Sequence, residues 1–125
     1  MQIYRVTELK YEAMKFIFLL LALPLLNQKC DKNKDAVPTC IQQRIEQIQK
    51  EAKWNPPAEV NEYSFDGKRV YLFTSPCCDQ YNNLYDNDCN LICAPSGGYT
   101  GKGDRKCLDF FEKAKHIKLI WKDQR

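Results

Sequence analysis

Histidine is almost absent from this chain: His116 is the single one. Any Ser-His-Asp or Cys-His site would have to use it, and it stands in the charged run KAKHIK, where a solvated side chain is the ordinary outcome. There is no C-x-x-C, so the spacing on which a thioredoxin-type site is built is missing. The apolar run Phe16 to Leu26 covers only 11 residues, too few to cross a bilayer. Excess charge is scarce as well. The whole chain carries +3, but from Cys30 onward 15 basic residues face 14 acidic ones. A net +1 lacks the basic excess that nucleic-acid binding needs.

Cysteine, in contrast, is abundant. Cys30, Cys40, Cys77, Cys78, Cys89, Cys93 and Cys107 make seven in 125 residues. That density suits an oxidising compartment, where cross-links supplement the modest core of a small domain. The odd count is explained if Cys30 carries a lipid, which leaves six for up to three bridges. Six cysteines allow 15 pairings, and spacing does not choose among them.

Residues 14–29 read as a signal segment. Lys15 is a thin positive start, and Phe16 to Leu26 is the apolar stretch. The polar residues 1–13 look out of place ahead of it and read as a non-native or mis-assigned extension, with Met14 as the start. Cys30 is the lipidation candidate, although Lys29 occupies a position where a lipoprotein leader carries a small residue. Residues 30–38 then form a solvated tether, and residues 39–125 a cysteine-rich globular domain of one piece.

Within that domain the spacing of Ile41, Ile45, Ile48 and Ala52 predicts a helix over 39–53, with Thr39 as its N-cap and Asn55-Pro56-Pro57 as its stop. Asp66-Gly67, between residues 60–65 and 68–74, predicts a β-hairpin. Tyr63, Phe65, Val70 and Leu72 are candidates for its buried face. A second hairpin is expected over 83–85 and 90–94 around Asp86-Asn87-Asp88. A glycine-rich loop follows at 95–106. A short helix is expected over 107–115, with Leu108, Phe111 and Ala114 on one side, and a closing strand over 116–121 in which Ile117, Leu119 and Trp121 alternate with Lys118 and Ile120. This order predicts an α+β fold, a helix packed on an antiparallel sheet and stapled by disulfides.

Four constellations could carry chemistry. Cys77-Cys78 is a vicinal pair. Its redox or metal reading competes with a structural one, in which each cysteine bridges to Cys40, Cys89, Cys93 or Cys107. Asp79, Asp86, Asp88 and Asp104 could make a loose calcium site, since oxygen ligands suit calcium. The run Asp86 to Asn90, however, lacks the glycine and glutamate of an EF-hand, and such residues commonly stabilise turns. Gly97, Gly98, Gly101 and Gly103 with Lys102 do not match the P-loop pattern, and glycines in positive-φ turns explain them. Tyr81, Tyr85, Tyr99 and Lys102, beside flexible loops, are the candidates for an exposed binding patch.

The strings NPPAEV (55–60), YSFDGKRVYLF (63–73) and CCDQYNNLYDNDCNLICAPSGGYTGKGDRKC (77–107) resemble a family of small bacterial proteins known only as a domain of unknown function. Its members commonly begin with a signal or lipoprotein leader. The resemblance covers about residues 40–111 and implies an exported single domain, but no activity. Arg105 stands where the family form TGKGDGKC has glycine.

The expectation is therefore an exported protein, periplasmic, outer-membrane-anchored or extracellular, acting as a monomer without a cofactor. It would be a non-catalytic binding or structural module with a protein or envelope component as partner, no nucleic acid, and membrane attachment through a lipid on Cys30. The alternatives are a calcium-stabilised exported protein and a thiol–disulfide oxidoreductase or other small periplasmic enzyme.

Overall fold

A computed structural model of the protein describes residues 35–125. The expected extension, the signal segment, Cys30 and the first part of the tether lie outside those residues. The described chain runs α1 (Thr39–Lys50), β1 (Glu59–Phe65), β2 (Lys68–Phe73), β3 (Tyr81–Asp86), β4 (Leu91–Gly97), α2 (Phe110–Lys113) and β5 (Lys115–Lys122). The five strands form one antiparallel sheet in the order β4-β3-β2-β1-β5. The α+β class expected from the sequence is thus what forms.

Helix α1 exists because Ile41, Ile45 and Ile48 make one apolar stripe, and all three are buried. Each such side chain contributes about 1.5–3 kcal/mol when removed from water. They cover the face of the sheet that carries Val60, Tyr71, Phe73 and Tyr85. The helix is shorter than the apolar periodicity predicts. It ends at Lys50, Glu51 is extended, and Ala52 is exposed. Thr39 is not the N-cap. Pro38 is, with its carbonyl accepting the amides of Ile41 and Gln42 at 3.0 and 3.1 Å. The non-helical turn falls one residue earlier, so Thr39 is already helical.

The first hairpin is the one expected. Asp66 and Gly67 have φ of 49° and 74°, the pair of positive values that a type I′ turn requires. Pairing puts Tyr63 opposite Val70, and Phe65, Val70 and Leu72 share the second face of the sheet with Leu84 and Cys93. One face carries all of these residues. Strands β4 and β5 lie at opposite edges, so the chain between them has to cross the sheet. It does so over this second face, where Cys107 and Phe110 complete the core. The sheet is therefore covered by α1 on one side and by the crossover on the other.

Two expectations fail in this crossover and in the strand after it. Helix α2 buries Phe110, whereas Leu108 and Phe111 are 69% and 59% exposed. The ring of Phe110 sits edge-on to Tyr63 and Phe65, each at 5.2 Å between centroids, and those partners decide which aromatic turns inward. In β5 the strict alternation is broken by register shifts against β1. The bulge brings Ile120 and Trp121 together against the α1 side of the core and leaves Ile117 and Leu119 half exposed.

Two polar devices complete the packing. Glu62, only 2% exposed, accepts from Arg69 Nε at 2.6 Å and lies 3.8 Å from Lys118 Nζ. Arg125 closes the C-terminal end of α1. It donates to the carbonyls of Gln49, Glu51 and Ile48 at 2.7, 2.9 and 3.3 Å, the last of which also accepts the Glu51 amide at 3.1 Å. Asp123 holds that guanidinium at 2.7 Å.

Candidate functional site

Register gathers one end of every strand at one rim. Val60 faces Phe73, Phe73 faces Asn83, Tyr81 faces Gly97, and Glu59 faces Lys122. The 74–80 connection, the glycine loop and the exit from α1 all meet there. Between α1 and the 74–80 connection lies a groove of about 190 Å³. Its chemistry comes from Arg44, Gln47, Glu51, Trp54, Tyr81 and Tyr85.

Its walls are held locally. The carbonyl of Glu59 accepts the Thr74 amide at 3.0 Å, and the Thr74 hydroxyl accepts the Glu59 amide at 2.8 Å. Asn82 Oδ1 accepts the Ser75 amide at 2.8 Å, and the Ser75 hydroxyl donates to the Gln80 carbonyl at 3.2 Å. Arg44 lies over the Tyr85 ring, 4.2 Å from its centroid, and points toward the phenol oxygen at 3.5 Å. The ring orients the guanidinium without neutralising it. Among the described residues no carboxylate forms an ion pair with Arg44. Glu51, the acid of the groove, instead accepts from Trp54 Nε1 at 3.0 Å.

The four tyrosine and lysine candidates divide. Tyr81 and Tyr85 line the groove, Tyr81 half exposed and Tyr85 largely buried beneath Arg44. Tyr99, 92% exposed, and Lys102 belong to the glycine loop on the same rim and do not line it. Arg44 and Trp54 were missed. Arg44 reads as part of the polar face of a helix and Trp54 as core. Their meeting with Tyr81 and Tyr85 joins distant segments, Arg44 and Tyr85 being 41 residues apart, and no local spacing signals it.

The glycine loop is built on itself and on the sheet. The amides of Gly98, Gly103 and Asp104 reach the carbonyls of Gln80, Gly97 and Ala94 at 3.0, 3.0 and 2.9 Å. At Gly103, with φ of 64°, a Cβ would overlap the Ala94 carbonyl oxygen. These glycines serve backbone packing.

The carboxylates proposed as calcium ligands work separately. Asp86 accepts the amides of Asp88 and Asn90 at 2.9 and 2.8 Å and the Asn90 side-chain amide at 3.0 Å. The Asn90 side chain is the main cause holding the Asp86 carboxyl below its usual range. Asp104 accepts the Lys106 amide at 3.0 Å in another turn. Asp79 and Asp88 are exposed in different loops. Among the described residues no three acidic, histidine or cysteine side chains gather to hold a metal. His116 lies within 3.0 Å of Asn61 Oδ1, with its ring edge-on to Tyr63.

Cys40 bridges to Cys89 and Cys93 to Cys107, with Cα separations of 6.2 and 6.1 Å. The four partners offered to the vicinal pair thus take one another. Cys77 and Cys78 are free and exposed, which corrects the expectation that each joins a bridge. Their loop faces solvent on the rim, away from the two staples. A turn closed by the Gln80 amide on the Cys77 carbonyl, at 3.1 Å, holds them. Side-chain hydrogen bonding toward Cys78, which favours the neutral thiol, raises Cys77 above its ordinary value more than local desolvation does.

Residues 46–123 match a family model described as a domain of unknown function, DUF6970. The comparisons with curated proteins and with solved structures gave no match.

Proposed function

The chain belongs to the DUF6970 family, and on that premise we propose that it is an exported or envelope-attached bacterial binding module whose rim groove captures a carboxylate of a polypeptide partner. The observation that carries this reading is Arg44: a guanidinium stacked on Tyr85, lining a concavity, with no ion-paired acid among the described residues. An oriented guanidinium takes a carboxylate through two parallel hydrogen bonds. At about 190 Å³ the groove is smaller than the roughly 300–1,000 Å³ typical of small-molecule sites. An acidic side chain or a chain end is the occupant that fits. Trp54 and Tyr81 beside it are the residue types that dominate binding hot spots.

Export is supported by the apolar stretch Phe16 to Leu26 and by the cysteine content. A lipid on Cys30 would add membrane attachment. Intact mass of the protein from its native envelope tests this part. A chain beginning at Cys30 with acyl mass supports it, and an unprocessed chain removes it.

A displayed random-peptide library selected on the full chain tests the groove. Selected peptides are expected to share an acidic residue or a free carboxyl end, and to lose at least tenfold in affinity to Arg44→Ala and Tyr81→Ala. Peptides that bind both variants as well as the parent would overturn the reading.

A further inference from the structure

Beyond the groove, we propose that Cys77-Cys78 is a redox-active dithiol that exchanges with disulfides, its substrate class being accessible protein or low-molecular-weight disulfides. The argument starts from the division of cysteines. The four that pair do so with Cα atoms about 6 Å apart, inside the usual range of roughly 4.4–6.8 Å. Adjacent residues cannot reach that range, because consecutive Cα atoms stand about 3.8 Å apart across a trans peptide. A bridge between Cys77 and Cys78 closes a tight ring, and strained, exposed disulfides are the easily reduced ones. Geometry therefore assigns structural duty to four cysteines and exchange chemistry to two.

The surroundings agree with this division. Both thiols are exposed, and the Cys77–Gln80 turn fixes the loop between them and the sheet. In the reaction one ionised sulfur of the pair attacks a substrate disulfide, forming a mixed disulfide and releasing one substrate thiolate. The neighbouring thiol, deprotonated in turn, displaces the second substrate sulfur and closes the Cys77–Cys78 bond. Two electrons and two protons pass from the pair to the substrate, which leaves as two thiols. The raised Cys77 thiol makes the exchange rate climb with pH through and beyond the ordinary thiol range.

The test uses the full chain carrying Cys30→Ser, so that only the six described cysteines respond, with oxidised glutathione as the disulfide. The reduced pair is expected to end as an internal bridge, lighter by two hydrogens and free of glutathione, mapped by proteolysis to residues 77 and 78. On titration with dithiothreitol its two thiols should return at roughly tenfold less reductant than the other four. Cys77→Ser and Cys78→Ser should each trap one stable glutathione adduct while leaving the melting temperature unchanged. Two glutathione adducts on the parent chain, or reduction of all six sulfurs together, would overturn the proposal. Neither result depends on Arg44 or on the groove.

Discussion

At one end of the sheet the Asp86–Asn90 turn is saturated with internal hydrogen bonds and tied by Cys89 to Cys40 at the start of α1. At the other end the 74–80 connection carries two unpaired thiols and is held by hydrogen bonds, with Arg44 of α1 and the exposed Tyr81 of β3 beside it in the groove. The first end is closed chemistry and the second is open. Concentrating covalent constraint at one end leaves the other able to present reactive and adhesive groups without carrying the stability of the domain.

The largest expected effect breaks that contrast directly. Cys40 and Cys89 are 49 residues apart in sequence, and Cys93 and Cys107 are 14 apart. In the chain-entropy model, removing the first bridge costs about 4 kcal/mol and the second about 3 kcal/mol. Cys40→Ser with Cys89→Ser should therefore lower the denaturation midpoint most. Cys77→Ser with Cys78→Ser should leave it within about 0.5 kcal/mol of the parent, as surface changes do. Equal losses from the two double variants would erase the distinction between staple and rim.

Next in size is the glycine loop. Gly103→Ala combines a left-handed φ with a clash against backbone, whereas Gly101, at a φ of 72°, faces open space. The first substitution should cost about 3 kcal/mol and the second about 1 kcal/mol, read by urea denaturation. Similar values would mean that the loop is not clamped to β4.

What the sequence reveals follows the range of the interactions. Ile41, Ile45 and Ile48, and the Asp66-Gly67 turn, are set by near neighbours, so their helix and hairpin can be read directly. The choice of Phe110 over Phe111 depends on Tyr63 and Phe65, over 40 positions earlier, and the bulge at Ile120 depends on pairing with β1. Both escape a periodicity argument. Cysteine pairing is equally non-local. The groove was half legible: the tyrosines were visible beside their loops, but Arg44 gains its role only once folding stacks it on Tyr85.

The Asp123–Arg125 pair, which closes α1 where its C-terminal end meets β5, gives a pH-dependent effect. The hydrogen bond from Arg125 pulls the Asp123 carboxyl down to about 2 from 3.8. A carboxyl lowered on folding contributes stability that is complete above its unfolded value and is lost as pH falls through its folded one. Asp123→Asn should therefore melt below the parent at pH 7, and the gap should close between about pH 4 and pH 2. A gap that persists unchanged at the acid end would mean that the aspartate acts through packing rather than charge.

The smallest effect is a gain. Arg105 holds a φ of 64°, a conformation that costs a residue with a Cβ about 1–2 kcal/mol relative to one without. Glycine relieves that strain but adds freedom to the unfolded chain, which takes back part of the benefit. Arg105→Gly should therefore stabilise the domain by about 0.5–1 kcal/mol in urea denaturation. Because the loop joins β4 to the crossover rather than forming the groove, peptide capture by Arg44 should be unchanged in the same variant. A rise in stability accompanied by altered capture would show that the glycine loop and the groove move together, and that the open rim is one coupled surface.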